Sequence, residues 1–183
     1  MNDYKHHFLV AMPQMQGEFF ARSVVYIYEH SLSGGTVGFT INKPLTAVLR
    51  NVLEHLKLSA KTEKIAALPV YSGGPVGTDQ GFIIHDRMTL ANKKDDESIT
   101  IGTSRQILKD IADGNGPDNF IVTLGYAGWG PAQLETEIER NDWLIVPFDK
   151  TLLFETPIST RWTAAAKLLG VDFNQLSSQT GHA

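Results

Sequence analysis

Cations placed beside hydroxyls are the most suggestive chemistry in this chain. Arg22 precedes Ser23, and Arg105 follows Ser104. An arginine next to a hydroxyl at the edge of an element can fork onto a carboxylate or phosphate. The ordinary fate of such an arginine is an exposed ion pair, which contributes little. Asn42-Lys43-Pro44 adds an amide and a second cation type where a predicted strand ends. Two glycine stretches join them: Gly73-Gly74 before Pro75, and Gly125, Gly128 and Gly130 before Pro131. The second stretch is expected to link a strand to a helix start, where free N–H groups attract anions. Its spacing is neither G-x-G-x-x-G nor a Walker loop, and Pro131 removes one N–H from the cradle. Sharp turning is therefore a sufficient reason for these glycines. Arg22, Asn42, Lys43, Gly73, Gly74, Arg105, Gly125, Gly128 and Gly130 form the candidate ligand-binding set.

Catalytic and metal patterns are weaker. Ser72 precedes the first glycine pair, but no G-x-S-x-G occurs, so there is no nucleophile elbow. Ser104, His30 and an aspartate make a triad on paper, as in almost any chain of this size, and triads are recognised by geometry. No catalytic residue is assigned. Glu29, His30, His85 and Asp86 fall at the ends of two predicted strands, without the spacing of a known metal motif. They are expected to form hydrogen bonds, and neither a metal nor another cofactor is expected. His6-His7 receives no role.

Composition narrows the class. The chain has 183 residues, 42% hydrophobic and 20% charged, which suits one globular domain spanning 1–183. It has no cysteine, so disulfides and thiolate chemistry are excluded, in keeping with a reducing compartment. No apolar run approaches the roughly 20 residues of a membrane helix, and the first ten residues lack a signal-peptide core. A cytoplasmic location without membrane contact is expected. Net charge is −4, and the one lysine pair, Lys93-Lys94, is followed at once by Asp95-Asp96-Glu97. Duplex binding draws its affinity from clustered cations on phosphates, so direct nucleic-acid binding is not expected.

Periodicity supplies the elements that must position these side chains. Strands are predicted over 8–12, 24–28, 36–41, 69–71, 81–85, 98–101, 120–124 and 143–146, with the second and third paired as a hairpin. A helix is expected from a Thr46 cap through Val48, Leu49, Val52, Leu53 and Leu56. Thr103-Ser104-Arg105-Gln106 has the form of a capping box opening a helix that stops at Gly114. Pro131 opens another through about Arg140, and Thr156-Pro157 a last one ending at Gly170. The tail after Asp172 is polar and expected to fray. Early hairpins followed by interleaved helices predict an α+β single domain: a mixed, largely antiparallel, curved β-sheet flanked by helices.

These segments, in order, resemble the AlgH/YqgE family of bacterial proteins. The resemblance runs through His7-Phe8-Leu9-Val10-Ala11-Met12-Pro13, Phe20-Ala21-Arg22-Ser23-Val24-Val25-Tyr26, Glu29-His30 and Ile41-Asn42-Lys43-Pro44. It continues through Gly73-Gly74-Pro75-Val76, Gly81-Phe82-Ile83-Ile84-His85 and Thr103-Ser104-Arg105. Leu124 to Gly130, Gln133-Leu134-Glu135, Trp143-Leu144, Thr156-Pro157, Arg161-Trp162 and Gly181-His182-Ala183 complete it. The chain departs from the family pattern at Gln106, where an aspartate is usual, and at Ser31, where an asparagine is common. The resemblance implies single-domain, mixed-sheet cytoplasmic proteins, some labelled transcriptional regulators from genetic context. It brings no helix-turn-helix and no established catalytic set.

The leading expectation is a non-enzymatic protein that binds a small anionic ligand or a protein partner, with indirect regulatory effects. The alternative is an enzyme acting on a small anionic substrate through Arg22, His30, Lys43, His85 and Arg105.

Overall fold

The computed structural model describes residues 3–86 and 99–173. In chain order the elements are β1 (His7–Ala11), β2 (Val24–Ser31), β3 (Gly35–Thr40), β4 (Pro44–Val48), α1 (Leu49–His55) and α2 (Glu63–Ala66). Then come β5 (Pro69–Ser72), β6 (Val76–Asp86), β7 (Ile99–Gly102), α3 (Arg105–Ala112) and β8 (Phe120–Trp129). The chain continues through α4 (Gln133–Glu139), β9 (Trp143–Pro147), α5 (Lys150–Phe154) and α6 (Ile158–Lys167). The lysine pair and its acidic neighbours at 93–97, Ser98, and the tail beyond 173 lie outside the described residues.

β8 is the hub. Its first half runs parallel to β5, with Val70 opposite Val122, and antiparallel to β6 on its other side, with Ile83 opposite Val122. Its second half pairs with β3, with Thr36 opposite Trp129. The sheet order is β4-β5-β8-β3-β2-β1-β9, and β6 carries β7 away from that path. All pairings except β5–β8 are antiparallel, so the sheet is mixed and largely antiparallel, and the fold class is α+β.

Strand alternation sorts side chains onto two faces. Phe8, Val10, Tyr26, Phe39, Tyr71, Ile84 and Ile121 share one cluster with Leu152 and Leu153 of α5 and Ala165 and Ala166 of α6. On the opposite face, Leu9, Val25, Ile27, Trp129 and Trp143 meet Leu134 of α4. Further along that face, Val70, Ile83 and Val122 meet Leu49 and Leu53 of α1 and Leu108 and Ile111 of α3. Burial of these side chains is the main force closing the fold, at about 1.5–3 kcal/mol for each large apolar residue.

Three expectations are corrected. Residues 44–48 are a strand, not the start of a helix: Pro44 lies opposite Tyr71 and Val48 opposite Pro69. Helix α1 begins at Leu49, and Asn51 Oδ1 accepts from the Val48 N–H, so Thr46 caps nothing. At α3 the capping atom is Ser104 Oγ, which accepts from the Ile107 N–H, while Gln106 Nε2 donates to Asp110 instead of reaching back. Most consequential, residues 125–129 continue β8 and do not turn. Helices α2 and α5 were not expected, because pieces of four and five residues carry no readable period. Their caps are Thr62 and Asp149.

Candidate functional site

Three nominated residues converge at one corner of the sheet. The chain enters β2 through Arg22, whose φ of 56° is left-handed and uncommon for a side chain of this size. Asn42, just past β3, holds that conformation from both sides. Its Nδ2 donates to the Arg22 carbonyl at 2.8 Å, and its Oδ1 accepts from the Val24 N–H at 2.8 Å. Lys43 Nζ then donates to the Ala21 carbonyl at 2.6 Å. The hairpin of β2 and β3 thus presents two cations and an amide from its open end.

Helix α6 forms the wall of this corner. The Arg22 guanidinium lies 5.3 Å from the centroid of the Trp162 ring, within cation–π range. The Trp162 indole N–H donates to the Ala11 carbonyl at 2.8 Å, which anchors the ring to β1. Its neighbour Arg161 is 3% exposed and points inward. Arg161 Nε and Nη2 both donate to the Thr156 carbonyl, and Nη1 donates to the Ile41 carbonyl. Burial pulls the Arg161 pKa below its ordinary value, opposed by the nearby Tyr71 hydroxyl.

Electrostatically the corner is cationic. Burial lowers the Lys43 pKa below the ordinary lysine value, and the adjacent Arg22 charge lowers it further. Among the described residues no carboxylate pairs with Arg22, Lys43 or Arg161. A corner of this kind can bind an anion.

The other candidates lie elsewhere. Gly73, Gly74 and Gly125 serve a chain crossing: a Cβ on Gly74 would collide with the Tyr126 peptide, and one on Gly73 with the Gly125 carbonyl. Gly125 also has a φ of +74°, which a side chain rarely adopts. The Gly73 N–H donates to the Leu124 carbonyl, and the Gly130 N–H to Gln133 Oε1, so both are spent within the protein. Gly128 sits exposed in β8 opposite Val37. Arg105 donates to the Leu56 carbonyl at 3.0 Å, between α1 and α3.

The two histidines are also separate. His30 Nδ1 lies 2.9 Å from Thr36 Oγ1, and its Nε2 lies 3.4 Å from Glu135 Oε1, tying α4 to the hairpin. This hydroxyl–imidazole–carboxylate chain is not a nucleophilic triad, because Thr36 is buried beyond reach of a substrate. His85 Nδ1 contacts the Asp86 carbonyl, while Asp86 accepts from the backbone and side-chain amides of Asn119. Glu29 is opposite Val37 in the hairpin. Among the described residues no group of three metal-binding side chains converges. Spacing alone did not mark Arg161 and Trp162 as site residues. The signal was a cation beside an aromatic on the apolar face of a helix, where a cation has no ordinary reason to be.

Comparison with known proteins agrees with this architecture. The DUF179 family model, described as AlgH-like, matches residues 8–174. A UPF0301 protein of Coxiella burnetii (strain Dugway 5J108-111) is 48% identical over 182 residues, covering 100% of this chain and 98% of its own length. The solution structure of the AlgH protein from Pseudomonas aeruginosa superposes with a TM-score of 0.77 at 41% identity, over 100% of this chain and 97% of that one. The crystal structure of protein DIP2367 from Corynebacterium diphtheriae shares the fold, with a TM-score of 0.65 at 24% identity, covering 91% of this chain and 87% of that one. The corner, the glycine crossing and the buried indoles all lie within the matched span, and the chain belongs to the AlgH-like UPF0301 family.

Proposed function

We propose that this chain is a cytoplasmic, non-enzymatic module that binds a small anion, a carboxylate or phosphate, at the corner of Arg22, Asn42 and Lys43. The observation that carries the reading is the pair of neighbouring cations, neither of which is ion-paired to a carboxylate among the described residues. Like charges held together disfavour each other, and a bound anion relieves that cost through charge-assisted hydrogen bonds. Trp162 supports the reading by keeping the Arg22 guanidinium in place over an aromatic face. Any regulatory effect is indirect on this account: occupancy changes the charge that the corner presents to a protein partner. Direct duplex binding is not part of it, in keeping with a net charge of −4.

The test is an amide-shift titration with inorganic phosphate and with acetate. The Trp162 indole N–H and the Val24 amide are expected to move together and saturate with a Kd of about 1 mM or tighter, near 4 kcal/mol of binding. Arg22→Gln and Lys43→Met should each weaken that binding about tenfold or more, as expected for loss of one charge-assisted bond. Saturation that is absent, or equal in both variants, overturns the reading.

A further inference from the structure

We infer that the cleft between α1, α3 and β6 is a second binding site, for a zwitterionic small molecule of the α-amino acid class with an apolar side chain. The cleft has a volume of about 430 Å³. That falls within the roughly 300–1,000 Å³ of small-ligand sites and is too small for a folded partner. Val52 of α1, Leu56 just past its end, Leu108 of α3 and Leu124 of β8 supply an apolar lining.

Arg105 and Asp79, of opposite charge, line the same cleft, as does His55. Arg105, in the first turn of α3, donates Nη2 to the Leu56 carbonyl at 3.0 Å. Leu56 is the C-cap of α1, so this bond fixes the guanidinium between the two helices while other N–H donors stay available. Asp79, exposed in β6, is the acidic residue of the lining. The two are not ion-paired with each other, nor is either paired with another described residue.

That arrangement selects by charge. A simple anion meets Arg105 but is repelled by Asp79, and a simple amine meets the reverse. A neutral apolar molecule covers the lining and leaves both charges partly desolvated without partners, which is unfavourable. A molecule carrying a carboxylate and an ammonium around one carbon, with an aliphatic or aromatic side chain, satisfies all three features. This site shares no residue with the Arg22–Lys43 corner, so neither reading depends on the other.

Calorimetric titration of the full chain tests it, with leucine and phenylalanine as probes. The controls are 4-methylpentanoate, which lacks the ammonium, and 3-methylbutylamine, which lacks the carboxylate. Leucine or phenylalanine should bind saturably, and leucine should exceed both controls by about ten- to a hundredfold, the usual worth of one charge-assisted bond. Asp79→Asn should bring leucine down to the level of 4-methylpentanoate, and Arg105→Gln should remove binding of both. Arg22→Gln should leave leucine binding unchanged. Both site residues are exposed, so their variants are expected to fold, and the comparison of probes on the unaltered chain needs no variant. The inference is overturned if neither amino acid saturates at about 20 mM, weaker than any useful affinity. It is also overturned if 4-methylpentanoate equals leucine on the unaltered chain, or if Asp79→Asn leaves their ratio intact.

Discussion

The side-chain amide of Asn42 donates to the carbonyl of Arg22 at 2.8 Å, and this bond orients the corner. Asn42 also accepts from the N–H of buried Val24, so one side chain satisfies backbone on both sides of Ser23. Asn42→Ala should therefore cost about 1–3 kcal/mol, the penalty for leaving a buried donor unpaired. It should also free Arg22 from its left-handed backbone. Urea denaturation measures the first effect. The second appears as loss of the Arg22 ring-current shift from Trp162.

Glu137 organises the opposite face. Its Oε2 accepts from the indole N–H groups of Trp129 and Trp143, each at 2.8 Å, and its Oε1 accepts from Gln133. Both indoles are buried, and their rings lie edge to face at 5.8 Å. Glu137→Leu strands two donors at once, at about 1–3 kcal/mol each. A lowered Tm with altered near-ultraviolet tryptophan signals is the expected outcome. An unchanged Tm would show that α4 docks without the help of the Glu137 bonds.

The glycines separate by position. Gly74→Ala places a methyl group into the Tyr126 peptide, which backbone cannot yield without parting β5 from β8. Folded protein should be lost or destabilised by more than about 4 kcal/mol. Gly128→Ala meets only the Tyr126 ring edge at ordinary contact distance and should change stability by less than about 1 kcal/mol. Thermal melts of the two variants make the comparison.

Much of the fold was readable because apolar runs in short strands are local signals. The β2–β3 hairpin, the strand at 69–71 and the last helix near Pro157 all formed where periodicity placed them. The stretch 125–129 misled, because glycines that permit turning also permit two strands to cross closely, and sequence shows only the permission. Thr46 misled for a related reason: its helix-spaced neighbours Val48 and Leu49 belong to different elements, and pairing with β5 overrides local preference. In the site, Arg22, Asn42 and Lys43 were nominated one by one, but nothing in their spacing announced that hydrogen bonds join them. Arg161 went unmarked as a site residue because its partners are carbonyls at Thr156 and Ile41, which no motif encodes.

The depressed Lys43 pKa sets a pH dependence. Below the native value Lys43 is charged in both the folded and unfolded chain. Between that value and the ordinary 10.5, the unfolded chain holds more protons, so stability from this group rises with pH across the window. Arg22→Gln removes the second cause of the shift and should narrow the window from below. Tyr26 acts in the opposite sense: burial raises its pKa, so stability falls as pH passes the ordinary tyrosine value of 10.0. Comparing denaturation of the unaltered chain with Arg22→Gln at each pH cancels the Tyr26 contribution. The unaltered chain should gain relative to the variant as Lys43 loses its proton.

The most direct measurement is the titration of Lys43 itself, followed through its side-chain NMR resonances with and without saturating inorganic phosphate. An anion at the corner favours the charged lysine, so phosphate should raise the Lys43 pKa back toward 10.5, and phosphate affinity should fall as pH climbs through the unliganded value. A Lys43 pKa that is depressed and stays the same with phosphate present would contradict the account, because the corner would then be cationic without binding anions.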